Sequence, residues 1–213
     1  MVKQERAIAT RQQIIKAAAE RFDETGYERA SLAEIVDLSR VTKGALYFHF
    51  KSKDDLAAVV IEEQHAISMT AVGRIRQTEA PALEQLVMLC YEMGREIVED
   101  PIVRAGIRLT IEMSADVGPP QPYVDWIDGV DSVFRSAIEE GDVLDTVDPA
   151  ELARYFVSAF TGVQLVSNVL TQRDDLEARL DQMLTFILSA IVTPRRRHKI
   201  DRYRHARWDP TSG

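Results

Sequence analysis

Ser31, Thr42 and Ser52 are each a residue that opens helices, and they follow one another at intervals of eleven and ten residues. Ser31-Leu-Ala-Glu34 is a capping box, in which the serine oxygen accepts from an orphan amide and the glutamate reaches back to the serine N–H. Thr42 is a good N-cap, and Ser52-Lys-Asp-Asp55 starts another helix with its acids in the first turn, where the helix dipole favours them. Upstream, residues 4–25 place Ile8, Ile14, Ile15, Ala18 and Phe22 mostly on one stripe, which stops at Gly26. Starts this closely spaced permit only short helices and tight turns. The second and third, joined through Asp37-Leu-Ser-Arg40, therefore read as a helix-turn-helix. A unit of about fifty residues buries too little apolar surface to be robust alone. The fourth helix, from Ser52 to about Gln77, is expected to support it.

The remaining chain keeps the helical period. Leu83, Leu86, Val87, Cys90, Gly94 and Ile97 recur at three and four residues, and Asp100-Pro101 restarts a helix bearing Val103, Ile107 and Ile111. VGPPQP (117–122) is the clearest loop. A stripe from Tyr123 to Ile138 stops at Glu-Gly-Asp, residues 140–142. The last two helices, 149–170 and 176–192, are the most apolar, and the first is apolar nearly all round. Such helices lie in a core or against a second subunit. No β-type alternation appears, so the fold class is all-α. The expected division is 1–53, a three-helix helix-turn-helix domain; 54–193, a helical ligand-binding and dimerisation bundle; and 194–213, a basic, disordered tail.

The net charge of −8 is unevenly spread: residues 1–53 carry +3, residues 54–193 carry −16, and the tail from Pro194 carries +5. Polyanion binding follows local charge, so an acidic chain does not exclude nucleic acid. A single cysteine, Cys90, cannot form an internal disulfide, which suits a reducing cytoplasm. No signal-like apolar run opens the chain, and no stretch is apolar enough to span a membrane.

The stretch VTKGALYFHFKSKDDL (41–56) concentrates the chemistry. On a helix from Thr42, Val41, Ala45 and Phe48 mark an inward face, while Lys43 and Tyr47 lie four apart on the other side. Gly44 leaves room for close approach. The second helix of a helix-turn-helix sets its first residues against base edges in the major groove. Lys43 can donate to guanine, Thr42 can bond or touch a thymine methyl, and Tyr47 can reach a phosphate. Lys53 opposes the dipole of the helix it opens, which makes that helix start, and the one at Ser31, candidate phosphate seats. His49 reads equally as solvated or as a phosphate contact. Isolated lysines are more often plain surface, but here helix, cap and spacing agree on DNA.

TKGALYFHFKSKDDL, with the entry TRQQIIKAAAERFDETGY, resembles the tetracycline-repressor (TetR) family over residues 7–60, whose members commonly read TxxxxYxHFxxKxxL. Many relatives have glycine before the valine where this chain has Arg40. A non-glycine residue there is strained if φ is positive, so either the turn differs or Arg40 offsets the strain at a phosphate. RAGIRLT (104–110), Trp126 after the proline-rich loop, and FTGVQLVSN (160–168) resemble the γ-butyrolactone receptor branch. That resemblance implies a repressor that leaves operator DNA on binding a diffusible lactone and controls genes such as those for antibiotic production. It also raises Trp126 as a ligand contact. A homodimer through 149–192 would hold two recognition helices about 34–36 Å apart.

A ligand pocket in such a bundle should be mostly apolar with a few polar groups. Thr161, Gln164 and Asn168 form a polar row beside Phe156 and Phe160, with Leu86, Val87, Val130 and Phe134 suited to an alkyl tail. Core packing, or bonding across a dimer seam, is the plain alternative for each. No cluster suggests a metal, a cofactor or a catalytic nucleophile, and Cys90 reads as a small buried hydrophobe, so the chain is not read as an enzyme. The rivals are a multidrug-sensing regulator of the same fold, with Glu112 and Asp116 as its acidic candidates, and a helical protein–protein adaptor.

Overall fold

The computed structural model describes residues 2–117 and 121–209. Among these the chain runs α1 (Val2–Arg29), α2 (Leu32–Ser39), α3 (Lys43–His49), α4 (Lys53–Arg76), α5 (Ala82–Glu99), α6 (Pro101–Val117), α7 (Gln121–Glu139), α8 (Pro149–Thr171), α9 (Leu176–Ile191), a 3-10 segment (Pro194–Lys199) and α10 (Ile200–Arg204). An isolated bridge between Val143 and Val192 is the extended pairing among the described residues. The all-α reading holds. The centre of the expected 117–122 loop, residues 118–120, lies outside the described residues, and its flanks belong to α6 and α7.

The described residues form two compact units, one within 1–69 and 97–120, the other within 70–96 and 121–213. A division at residue 53 therefore cuts the first unit. The reason is packing: the apolar stripe of α1 buries Ile14, Ile15, Ala18 and Phe22 together with Ile35 of α2, Leu46 of α3, Leu56 and Val60 of α4, and Ala105 and Leu109 of α6. Gly106 brings α6 close to α4, since a methyl there would stand 2.4 Å from Gln64 Cβ.

In the second unit α7 lies along α8 and α8 along α9. Asp148 caps α8 by accepting from the Ala150 and Glu151 amides, and Pro149 opens the helix at the position where its missing N–H costs nothing. Gly94, on the apolar stripe of α5, is where Leu180 of α9 enters, because a side chain there would meet Leu180 Cδ1 at 2.6 Å. Cys90 is buried and burial pushes its thiol up, as expected of an inert core residue.

The described part of the tail, residues 194–209, departs from the expectation of disorder: it is folded. Tyr203 of α10 is fully buried, and four arginines meet acids of the same unit. Arg196 meets Asp142 at 3.0 Å, Arg202 meets Glu84 at 2.8 Å, Arg204 meets Asp181 at 2.6 Å and Arg207 meets Glu177 at 3.3 Å. Arg207 also lies 3.2 Å from the Tyr91 ring centroid. Composition alone marked this segment as solvated. Its anchor is one aromatic residue, and its charge is complementary to the acidic bundle. Tyr203→Ala is expected to cost about 3–5 kcal/mol, the range for emptying a buried aromatic site, measured by urea unfolding. A loss under about 1 kcal/mol would mean the tail is not docked in solution.

Candidate functional site

In the first unit, Ser31 completes the expected capping box. Its Oγ accepts from the Glu34 amide at 3.3 Å and the Ser31 N–H donates to Glu34 Oε2 at 3.1 Å, while Arg21 holds Glu34 Oε1 at 2.7 Å. The Ser31 hydroxyl also donates to Glu34 Oε2 at 2.8 Å, and this bond first, with Arg21 next, keeps the Glu34 carboxyl below its usual range. The α2–α3 turn keeps its left-handed geometry despite the arginine: Arg40 has φ 54 and ψ 28, its N–H donates to the Asp37 carbonyl, and its side chain is exposed. That conformation costs a non-glycine residue about 1–2 kcal/mol.

Thr42 caps α3 by accepting from the Ala45 amide at 3.2 Å. Thr42, Lys43, Gly44 and Tyr47 are all exposed, with Lys43 Nζ 5.9 Å from the Tyr47 ring centroid. Gly44 faces open space, since a methyl there would find only Thr42 Oγ1 at 4.0 Å. His49 is half-buried, edge-on to Phe48 with centroids 5.0 Å apart. The expected inward face needs correcting. Leu46 and Phe50 are the buried residues, whereas Phe48 is 78% exposed beside the outward set. Seven helical residues make barely two turns, so the inward direction is set by the single position that meets the core, and that position is Leu46.

Lys53 also stands differently. Its Nζ donates to the carbonyls of Tyr27, Glu28 and Ala30 at 2.9, 3.4 and 3.2 Å and lies 4.2 Å from the Tyr27 ring centroid. Three carbonyls and a ring face fill the ammonium's surroundings, so Lys53 ties α4 to the end of α1 instead of reaching out to a phosphate. The local sequence hid this, because the partners lie more than twenty positions upstream.

In the second unit, Leu86, Val87, Phe134, Phe156, Phe160 and Gln164 are buried, and Trp126, Val130 and Thr161 half-buried. The Phe134 and Phe156 rings meet edge-on at 6.0 Å, joining α7 to α8. Trp126 stands edge-on to Tyr123 at 5.0 Å, and the Tyr123 hydroxyl is 3.4 Å from Thr161 Oγ1, which itself donates to the Val157 carbonyl at 2.9 Å. Tyr123 was missed by sequence reasoning, although it is the residue that brings Trp126 and Thr161 into one neighbourhood. Burial raises its phenol, so it stays a neutral donor. A separate open groove of about 460 Å³ runs between α8 and α9, lined by Tyr155, Val166, Met183, Phe186 and Ile187 among others. Val169 and Phe186 are 73% and 75% exposed there and nearby, an apolar surface that water disfavours.

A capped helix-turn-helix whose short second helix exposes Lys43 and Tyr47, in a chain helical throughout its described residues, is the build of a DNA-binding regulator. Residues 14–60 match the model of the bacterial regulatory proteins of the tetR family, and residues 80–193 match the tetracyclin repressor-like C-terminal domain. The chain belongs to the tetR family. It is 39% identical over 194 residues to the A-factor receptor protein of Streptomyces griseus, covering 91% of this chain and 68% of that one. It is also similar to a crystal structure of a gamma-butyrolactone receptor, an ArpA-like protein, at 34% identity, with 93% and 96% of the two chains covered and a TM-score of 0.82. A further similar structure is CprB of Streptomyces coelicolor in complex with its biological operator sequence, at 34% identity, 92% and 94% coverage and a TM-score of 0.77. No helix of the described residues is long and apolar enough to cross a membrane.

Arg40→Gly removes the left-handed strain and should raise stability by up to about 1 kcal/mol after glycine's own entropy cost. Denaturant midpoints at constant m measure it, and a lower midpoint would show that the arginine is not strained.

Proposed function

We propose that this chain is a ligand-responsive dimeric repressor that binds operator DNA through α3 and is released by a small signal molecule of the γ-butyrolactone class. The observation that carries this reading is the similarity, over more than nine-tenths of this chain, to the A-factor receptor and to γ-butyrolactone receptor structures. Thr42, Lys43, Gly44 and Tyr47, exposed together on α3, are the proposed base and backbone contacts, with Ser31, Arg40 and His49 at the phosphates. The operator-bound CprB supports such a role for the fold. The neighbourhood of Trp126, Tyr123, Thr161 and Gln164, with Phe134, Phe156 and Phe160, Leu86, Val87 and Val130 around it, is the proposed lactone site. Polar groups there meet a carbonyl or hydroxyl, and apolar ones an alkyl chain. The exposed apolar faces of α8 and α9 are the proposed homodimer seam, within 149–192. The protein works where its DNA is, in the cytoplasm, and similar proteins control antibiotic production. The drug-sensing alternative loses support at Glu112, whose carboxylate is engaged by Arg108 and by the Tyr27 amide; the Asp116 side chain lies outside the described residues.

The direct test is fluorescence anisotropy on DNA from upstream of the protein's own gene, with and without a γ-butyrolactone carrying a hydroxyl group and an alkyl chain. Saturating lactone should weaken binding by roughly 5–150-fold, and unchanged affinity would refute the reading. Lys43→Ala should lose about 1–3 kcal/mol on the operator and less on unrelated DNA. A uniform loss across sequences would make Lys43 a phosphate contact. Gly44→Ala should leave the fold intact and gain up to about 1 kcal/mol of helix propensity, so any lost DNA affinity reports a methyl against DNA.

A further inference from the structure

Helix α1 breaks at Gly26, where φ is 78 and ψ 173. In an unbroken helix the Tyr27 N–H would donate to the Asp23 carbonyl four residues back. Here each half of that bond has found a partner on α6. The Asp23 carbonyl accepts from Arg108 Nη1 at 2.7 Å, and the Tyr27 N–H donates to Glu112 Oε2 at 2.7 Å. Arg108 Nε and Glu112 Oε1, one helical turn apart, are themselves joined at 2.7 Å. The ion pair thus stands in the ladder of α1 in place of a missing peptide hydrogen bond. Glycine suits the break because that φ and ψ strain any other residue, and a Cβ, 2.6 Å from Arg108 Nη2 and 2.8 Å from Glu112 Oε1, would also make the pair shift. Arg104, one turn earlier, adds a bond to the Asp23 carboxylate at 2.6 Å.

What lies beyond the break is the seat of α4. The carbonyls of Tyr27, Glu28 and Ala30 hold the Lys53 ammonium. The Tyr27 phenol, pushed up to about 12 by burial and then by Asp54, stays protonated and donates to the Asp54 carboxylate. Lys53 and Asp54 open α4 directly after the recognition helix. An exposed ion pair between two side chains is weak and slides easily. A pair bonded at both ends to fixed backbone groups has one register, so a displacement of α6 is passed on instead of absorbed.

We infer that the Arg108–Glu112 pair is the joint through which α6 positions the helix-turn-helix, making both side chains positioning residues for operator release. This rests on the reading of the chain as a lactone-released repressor. The chain leaves α6 at Val117 and enters α7, which carries Trp126, at Gln121. On this proposal a ligand held near Trp126 is felt by α6 through the chain that joins the two helices, and the test below measures that coupling.

The test uses the full-length protein, the operator fragment and the same lactone, on wild type, Arg108→Met, Glu112→Ala and Glu112→Gln. Operator affinity comes from anisotropy and lactone affinity from calorimetry. Wild type should lose operator affinity with lactone by roughly 5–150-fold. Arg108→Met and Glu112→Ala should bind lactone as wild type does yet keep the operator when lactone is bound. Glu112→Gln, whose amide oxygen still accepts from Tyr27, should recover most of the response. Amide exchange supplies a lactone-free arm, with Tyr27 slow in wild type and Glu112→Gln and fast in Glu112→Ala. Variants that respond like a responsive wild type would overturn the joint alone, as would loss of lactone binding, operator binding and melting temperature together. A wild type unmoved by lactone would overturn the functional reading, and the joint's part in release with it.

Discussion

Short helices have proportionally more end than middle, and each end leaves backbone donors or acceptors that must be met. The first unit is organised around this constraint. Ser31 and Glu34 close the start of α2, and Thr42 that of α3. Asp55 accepts from the Lys51 amide while its own amide donates to Ser52 Oγ at the start of α4. Lys53 covers the carbonyls at the end of α1, and Arg104 those of Ile97 and Val98 at the end of α5. The core of Ile14, Phe22, Ile35, Leu46 and Leu56 supplies burial, but the ends fix the register in which these helices meet. A cation across three carbonyls is a long-range version of the C-terminal cap that glycine provides elsewhere.

Caps made within four residues were legible. Ser31 with Glu34, Thr42 and the starts of α4 and α6 follow from local chemistry, and the structure has each, whereas at Gly26 α1 kinks and resumes to Arg29. Caps made across the fold were not. Lys53 was read against its own helix dipole, which is correct as far as it goes, but its partners belong to α1. Phe48 shows a second limit. Over two turns, spacing alone cannot separate residues 45 and 48 from 46 and 50 as the buried pair. Where a helix is longer the stripe decides the matter. The buried face of α8, Phe156, Phe160, Gln164 and Ser167, follows the three- and four-residue spacing closely. Of its polar row, Gln164 lies on that face while Thr161 and Asn168 are half-buried, and Tyr123 was missed because its significance comes from α8, not from its neighbours in sequence.

The tail carries the same lesson in charge. Seven basic residues against two acidic ones read as a solvated or DNA-seeking arm when only composition is weighed. The bundle it follows is strongly acidic, so the nearest polyanion is the protein itself. Four of those seven basic residues meet acids at 2.6 to 3.3 Å, and Glu84 and Asp142 are nearly inaccessible beneath their arginines. A buried carboxylate without such a partner would be costly, so the acids of the bundle and the arginines of the tail need each other.

This redistributes the basic charge available for DNA. Lys53 and much of the tail are committed inside the fold, whereas Arg40, Lys43 and Lys51 are exposed around the two ends of α3. An acidic protein that binds DNA must confine its attraction to one face, where the cations lie within a Debye length of about 8 Å of the phosphates and the repulsion of the more distant acids is screened. Gathering those cations on and just beside the shortest helix of the unit, with Tyr47 and Phe48 exposed next to them, makes that face small and oriented. With α3 as the proposed reader, affinity depends on how that one helix is held, which puts the weight on its attachments: Leu46 in the core, Thr42 at its start, and the Lys53–Tyr27 seat just beyond its end.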